Sequence, residues 1–151
     1  MPQSLSQIYV HIIFSTKHRE PFLRDRALRT AMHKYLAGIC AGQGSPAIIV
    51  GGTEDHVHVL CRLSRTGSVA DLLRELKRDS SAWVKEQHPE LDGFHWQLGY
   101  GAFSVGPHEV DVVRAYIENQ EAHHRTESFQ DEFRALLATY GVEYHEHYVW
   151  D

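Results

Sequence analysis

The stretch GGTEDHVHVL, residues 51–60, holds two histidines two positions apart inside an apolar run. Side chains at i and i+2 of a β-strand share a face. His56 and His58 therefore project together, while Val57 and Val59 point the opposite way, into a core. Two neutral imidazoles on a rigid strand can hold a divalent metal and leave other coordination positions open. The same spacing occurs where a strand turns one side to solvent, so the pair alone leaves both readings open. Asp55, directly before the pair, is placed to reach a metal or to orient an imidazole. A second His-x-His, His145 and His147 in YHEHY (144–148), has Glu146 between its histidines and no apolar strand around it, and it reads as a tail or edge segment.

The neighbouring segments supply the rest of a sheet. PAIIVGG (46–52) is a short strand, and TED (53–55) makes a tight hairpin to the strand over 56–63. QIYVHIIFST (7–16) is β-branched and aromatic, as a strand requires. Between them, residues 25–44 place Leu28, Met32, Leu36 and Ile39 on one helical face before glycines at 42 and 44. A helix over 68–88 opens on Ser68 with Asp71, a capping box, and ends before Pro89; Val69, Leu72, Leu73, Leu76 and Trp83 mark its apolar face. FHWQLGYGAFSV (94–105) is strand-like, bent by Gly99 and Gly101. A helix over 108–124 starts after Pro107 and puts Tyr116 and Gln120 on one face. Ser128 with Asp131 caps a last helix that closes on Gly141, and residues 142–150 read as an edge strand. The order β-α-β-β-α-β followed by two helices predicts an α+β, ferredoxin-like (split βαβ) antiparallel sheet with helices on one face, as one domain over residues 1–151.

Composition narrows the functional classes. Apolar residues make up 42% of 151 and charged residues 23%, an ordinary balance for a packed domain. No apolar run reaches the roughly 18 residues a membrane helix needs, and the first residues do not form a secretory leader. Cys40 and Cys61 lack metal-type spacing, which fits a reducing cytoplasm. The net charge of −5 argues against a generic nucleic-acid binder, yet it is uneven. Residues 1–85 carry 12 Lys and Arg against 7 acids, and residues 86–151 carry 3 against 13, so the first half can attract phosphate. Its basic candidates are Lys17, Arg19, Arg24, Arg26, Arg29, Arg74, Lys77 and Arg78, with Arg74, Lys77 and Arg78 clustered at helical spacing. Phe94, Trp96, Tyr100 and Phe103 suit either base stacking or the core.

The order and spacing of these motifs resemble the HUH single-strand transposases with one catalytic tyrosine, where U is a hydrophobic residue. These are the small insertion-sequence enzymes and the REP-associated tyrosine transposases. HIIFSTKHREPFL resembles the family's first strand and loop, EDHVHVL its His-hydrophobic-His strand, and VADLLRELKRDSSAWV the helix that follows. HWQLGYGAFSV resembles its fourth strand and VRAYIENQEAHHR its tyrosine helix. The resemblance implies Tyr116 as nucleophile and His56, His58 and Gln120 as ligands of Mg²⁺ or Mn²⁺, with His124 and Asp55 as additional metal or phosphate contacts. It implies a single-stranded or hairpin DNA substrate cut through a 5′-phosphotyrosine, and charge and spacing make Arg74, Lys77, Arg78, Lys17 and Arg19 the candidates to contact that DNA. It further implies a homodimer in a bacterial cytoplasm; no small-molecule cofactor is expected, and the lack of a long apolar run predicts no membrane association. Two other readings compete: a non-catalytic ferredoxin-like nucleic-acid binder, as in a domesticated transposase acting as repressor, and a metal-dependent phosphohydrolase that uses water.

Overall fold

A computed structural model describes residues 2–151. The sheet is assembled on β1 (Tyr9–Ser15), which pairs antiparallel with β3 (His56–Arg62) on one side and β4 (Gly101–Val105) on the other. β2 (Ala47–Gly52) pairs antiparallel with β3 across the turn at residues 53–55, giving the order β2-β3-β1-β4. β1 and β2 therefore run parallel with β3 between them, the split βαβ arrangement. Their crossover is α1 (Arg26–Gly42), and α2 (Val69–Gln87) links β3 to β4. The chain then adds α3 (Val110–Glu118), α4 (Gln120–His123) and α5 (Phe129–Thr139). This is the expected α+β, ferredoxin-like architecture.

Local chemistry explains where the helices begin. Asp25 accepts hydrogen bonds from the backbone N–H groups of Ala27 and Leu28, Ser68 from that of Asp71, and Ser128 from that of Asp131. Each cap satisfies donors a helix start leaves open and contributes about 1 kcal/mol.

Strand alternation sorts side chains to the two faces of the sheet. Val10, Ile12 and Phe14 of β1 and Val57, Val59 and Cys61 of β3 face α1 and α2, where Leu28, Met32, Leu36, Leu72, Leu73 and Leu76 complete a dry core. His11, Ile13 and Ser15 of β1 sit opposite Leu60, His58 and His56 of β3 on the other face, which α3, α4 and α5 cover. Two glycines let those helices come close. A Cβ on Gly51 of β2 would lie 2.8 Å from both Cγ2 and the carbonyl oxygen of Ile117, and one on Gly101 of β4 would lie 2.5 Å from Phe133 Cε1. A side chain at either position would hold α3 or α5 away from the sheet.

Three expectations are corrected. The fourth strand covers Gly101–Val105, not 94–105. Residues 94–100 instead run irregularly, tied by a single bridge between Trp96 and Thr16 and by Lys77, whose ammonium donates to the carbonyls of Gln97, Leu98 and Gly99 at 2.8, 3.1 and 2.7 Å. The helix expected over 108–124 breaks at Asn119, a weak helix former that here has ψ of 17°, and resumes as α4. Residues 142–150 form turns, not an edge strand, and Trp150 packs on Phe129 and Phe133.

Candidate active and metal site

The two imidazoles of β3 end in a polar cluster buried between the sheet and the last three helices. His56 and His58 are both 0% exposed. Their Nε2 atoms face inward, and their Nδ1 atoms are held from behind. His56 Nδ1 donates to Asp55 Oδ1 at 2.8 Å, and Thr53 Oγ1 donates to the same carboxylate oxygen at 3.1 Å. His58 Nδ1 lies 2.8 Å from Nε2 of His11, a buried histidine of β1. His124 follows the same plan: its Nδ1 donates to the Glu127 carbonyl at 2.6 Å, so its neutral form keeps a lone pair on Nε2.

The break at Asn119 lets α3 and α4 deliver different groups to one point. Tyr116, on α3, places its ring 5.9 Å from that of His58 and 6.3 Å from that of His11. Gln120, at the start of α4, brings Oε1 to 3.0 Å from His56 Nε2 and 2.9 Å from His124 Nε2. Glu132, from α5, stands at the centre. Its Oε1 lies 3.0, 3.2 and 3.4 Å from the Nε2 atoms of His124, His58 and His56. Its Oε2 accepts hydrogen bonds from the Tyr116 hydroxyl and, at 2.9 Å, from Gln120 Nε2.

These surroundings set the charges. Burial alone would lower His56, but its hydrogen bonds to Asp55 and Glu132 raise it to about 9. Burial lowers His58 to about 4, with the neighbouring His56 adding to the shift, and burial together with His58 lowers His11 to about 3. Burial would raise Glu132, yet hydrogen bonds from His124, His56 and His58 hold it well below the usual carboxylate range. Burial and the adjacent Glu132 carboxylate push the Tyr116 phenol up, so the hydroxyl keeps its proton in this arrangement.

The donor set suits a divalent cation. One donor atom from each of His56, His58, His124 and Glu132 lies within 4.8 Å of the others. Imidazole nitrogens with carboxylate or amide oxygens are a common ligand mixture for such ions.

A family profile described as "Transposase IS200 like" matches residues 4–120. The chain belongs to the IS200-like transposase family. Its fold is similar to that of a protein assigned as a transposase from Deinococcus radiodurans R1, with TM-score 0.65 and 24% identity over 80% of this chain and 95% of that one. It is also similar to a REP-associated tyrosine transposase bound to a REP hairpin, with TM-score 0.54 and 11% identity over 80% of this chain and 68% of that one. No curated protein matches the chain significantly.

Within this family member, the structure brings together His56, His58, Tyr116, Gln120 and His124, and it sets Asp55 behind His56 instead of among the inward-facing donors. Of the basic candidates, Arg26 and Arg29 line a cleft with Asp55 and His124, whereas the five residues expected to contact DNA do not join the cluster. Arg74 and Arg78 are exposed on α2, beyond the opposite face of the sheet, and pair with Asp71, Glu75 and Asp79. Lys77 is engaged by the three loop carbonyls. Arg19 lies over the Trp150 ring at 5.7 Å, and Lys17 is exposed in a short 3₁₀ turn. His145 and His147 lie exposed in the C-terminal turns, away from the cluster.

Sequence reasoning missed Glu132 and His11. Glu132 carried a readable signal: with Phe129, Phe133 and Leu137 it forms the buried stripe of α5, where an unpaired charge is costly. His11 is the odd residue in an apolar strand, on the same side as Ile13 and hence as His58.

Proposed function

We propose that this chain cleaves and rejoins single-stranded DNA at hairpin or palindromic ends through a 5′-phosphotyrosine on Tyr116. The observation that supports this most directly is convergence. A buried pair of histidines from β3, a phenol from α3 and an amide from α4 meet within one chain that belongs to a transposase family. His56, His58 and Gln120 would hold Mg²⁺ or Mn²⁺. A divalent cation held there would supply positive charge to the target phosphate.

The chain's own groups perform the rest. Asp55 and the Glu127 carbonyl keep a proton on Nδ1 of His56 and His124, so that the proton each ring would release to a metal is the inward one on Nε2. Tyr116 already donates its hydroxyl hydrogen toward Glu132 Oε2, which marks where the proton goes. A new bond forms from Tyr116 Oη to phosphorus as the bond from phosphorus to the 3′-oxygen breaks, and that oxygen takes up the proton Tyr116 gave to Glu132 and leaves as a 3′-hydroxyl. Attack by another 3′-hydroxyl reverses the step and reseals the strand without ATP. The strand enters along the cleft lined by Arg26, Arg29, Asp55, Glu121, His124 and Arg125. Arg26 and Arg29 pair with Glu121 there at 3.2 and 2.7 Å and can exchange it for phosphate. A homodimer in a bacterial cytoplasm belongs to the same proposal.

The test is to incubate the protein with Mn²⁺ and labelled single-stranded hairpins from the DNA flanking its coding region. A denaturing gel should show a protein–DNA adduct that Tyr116→Phe and a chelator each abolish. An adduct of equal yield in Tyr116→Phe removes the nucleophile assignment. Chelator-insensitive hairpin binding with no cleavage turns the chain into a binding module.

A further inference from the structure

Glu132 lies beyond the segment that the family profile matches, which ends at Gln120, and it comes from a separate helix. It is nonetheless the most connected group of the cluster. We propose that Glu132 is a ligand of the divalent cation through Oε1, giving this chain an anionic ligand from α5 in addition to the histidine pair. The proposal rests on the reading of His56 and His58 as metal ligands.

The argument is geometric. Metal bonds from imidazole nitrogen and carboxylate oxygen are about 2.0–2.2 Å long. Neighbouring donors around one ion, at 90° to 109°, then stand about 3.0–3.4 Å apart. Glu132 Oε1 stands 3.0, 3.2 and 3.4 Å from the Nε2 atoms of His124, His58 and His56. Each of these nitrogens is the ring's inward atom, since the corresponding Nδ1 has its own partner in the Glu127 carbonyl, His11 or Asp55. The carboxylate therefore already occupies a ligand's place relative to all three rings. It is 2% exposed, and among the described residues its only neighbouring cationic groups are histidines that a metal would need neutral. A cation is the charge that would then balance it. Its other oxygen keeps the Tyr116 contact, so one carboxylate ties the nucleophile to the ion.

The test measures metal, not cleavage. Mn²⁺ binding to the full chain is titrated by calorimetry for wild type, Glu132→Gln, Glu132→Asp and His58→Ala, with folding of each checked by circular dichroism. Glu132→Gln keeps the shape and removes the charge, and it should weaken Mn²⁺ by about 10- to 100-fold, the size of effect typical of groups that tune metal sites. Glu132→Asp should recover part of that loss. A wild-type crystal soaked in Mn²⁺ should show anomalous density with Oε1 about 2.2 Å away, and this measurement stands even if a variant fails to fold. Unchanged affinity in Glu132→Gln alongside lost affinity in His58→Ala overturns the Glu132 assignment and leaves the histidine site standing. Unchanged affinity in both, or no Mn²⁺ binding by wild type, overturns the underlying metal reading instead.

Discussion

The two faces of β3 solve opposite problems with the same seven residues. Toward α1 and α2 it turns Val57, Val59 and Cys61, all without solvent exposure, into a core in which shape and apolar area do the stabilising. Toward α3, α4 and α5 it turns His56 and His58, equally buried, into a cluster in which both imidazoles are hydrogen-bonded through both ring nitrogens. Burial is complete on both sides, but only the second retains groups that titrate and bind. The dry face holds the sheet rigid, and that rigidity keeps the imidazoles at fixed spacing on the other.

This contrast can be broken at either face. The largest effect is expected on the dry side. Leu76→Ala removes a fully buried side chain from the core and should cost about 4 kcal/mol in a chemical denaturation titration. Mn²⁺ affinity of the folded fraction should stay unchanged; a loss of affinity to match would show that the faces are not separable.

Acid should strike the polar side alone. His58 and His11 have folded values lowered to about 4 and about 3, below the 6.5 of an unfolded chain. Their contribution is fully present above pH 6.5. As pH falls below 6.5 the unfolded chain takes up protons that the folded one refuses, and stability is lost. Each should lose about 1 kcal/mol, about 2 kcal/mol together, between pH 6.5 and 5.5, as the unfolded histidine goes from half to mostly protonated while the folded one stays neutral. His56 does not offset this, because its value is raised and its contribution is constant below pH 6.5. Melting temperatures in chelator across this range provide the measurement. A flat profile would mean that the cluster is not held neutral at these rings.

The smallest effect sharpens the polar side internally. Asp55→Asn removes the carboxylate behind His56 without touching the inward donors. Mn²⁺ affinity should fall about tenfold, and without metal the unfolding free energy at neutral pH should also fall, because the buried His56 loses its partner. No change by calorimetry would leave Asp55 as a turn residue of the β2–β3 hairpin.

Local sequence rules account for most of the scaffold and for part of the site. The period of two in β1 and β3, the capping serines at 68 and 128, and the hairpin at 53–55 are short-range features, legible because each depends on neighbours in the chain. His56, His58, Tyr116 and Gln120 were legible through motif order. The Asn119 break was not, since weak propensity permits a kink without requiring one. Residues 94–100 read as strand by composition, but Lys77 and the bridge to Thr16 hold them in another path.

By itself the sequence determined which residues share a face, where most helices start, and that two histidines and a tyrosine were available. Those properties follow from backbone periodicity and hydrogen-bonding capacity, which act over a few residues. Only the tertiary structure decided that Glu132, 74 positions after His58, sits 3.2 Å from it, and that His11 stands behind the same ring. That outcome depends on how closely α3 and α5 settle on Gly51 and Gly101. Close packing between segments distant in sequence sets that approach, and no local pattern encodes it.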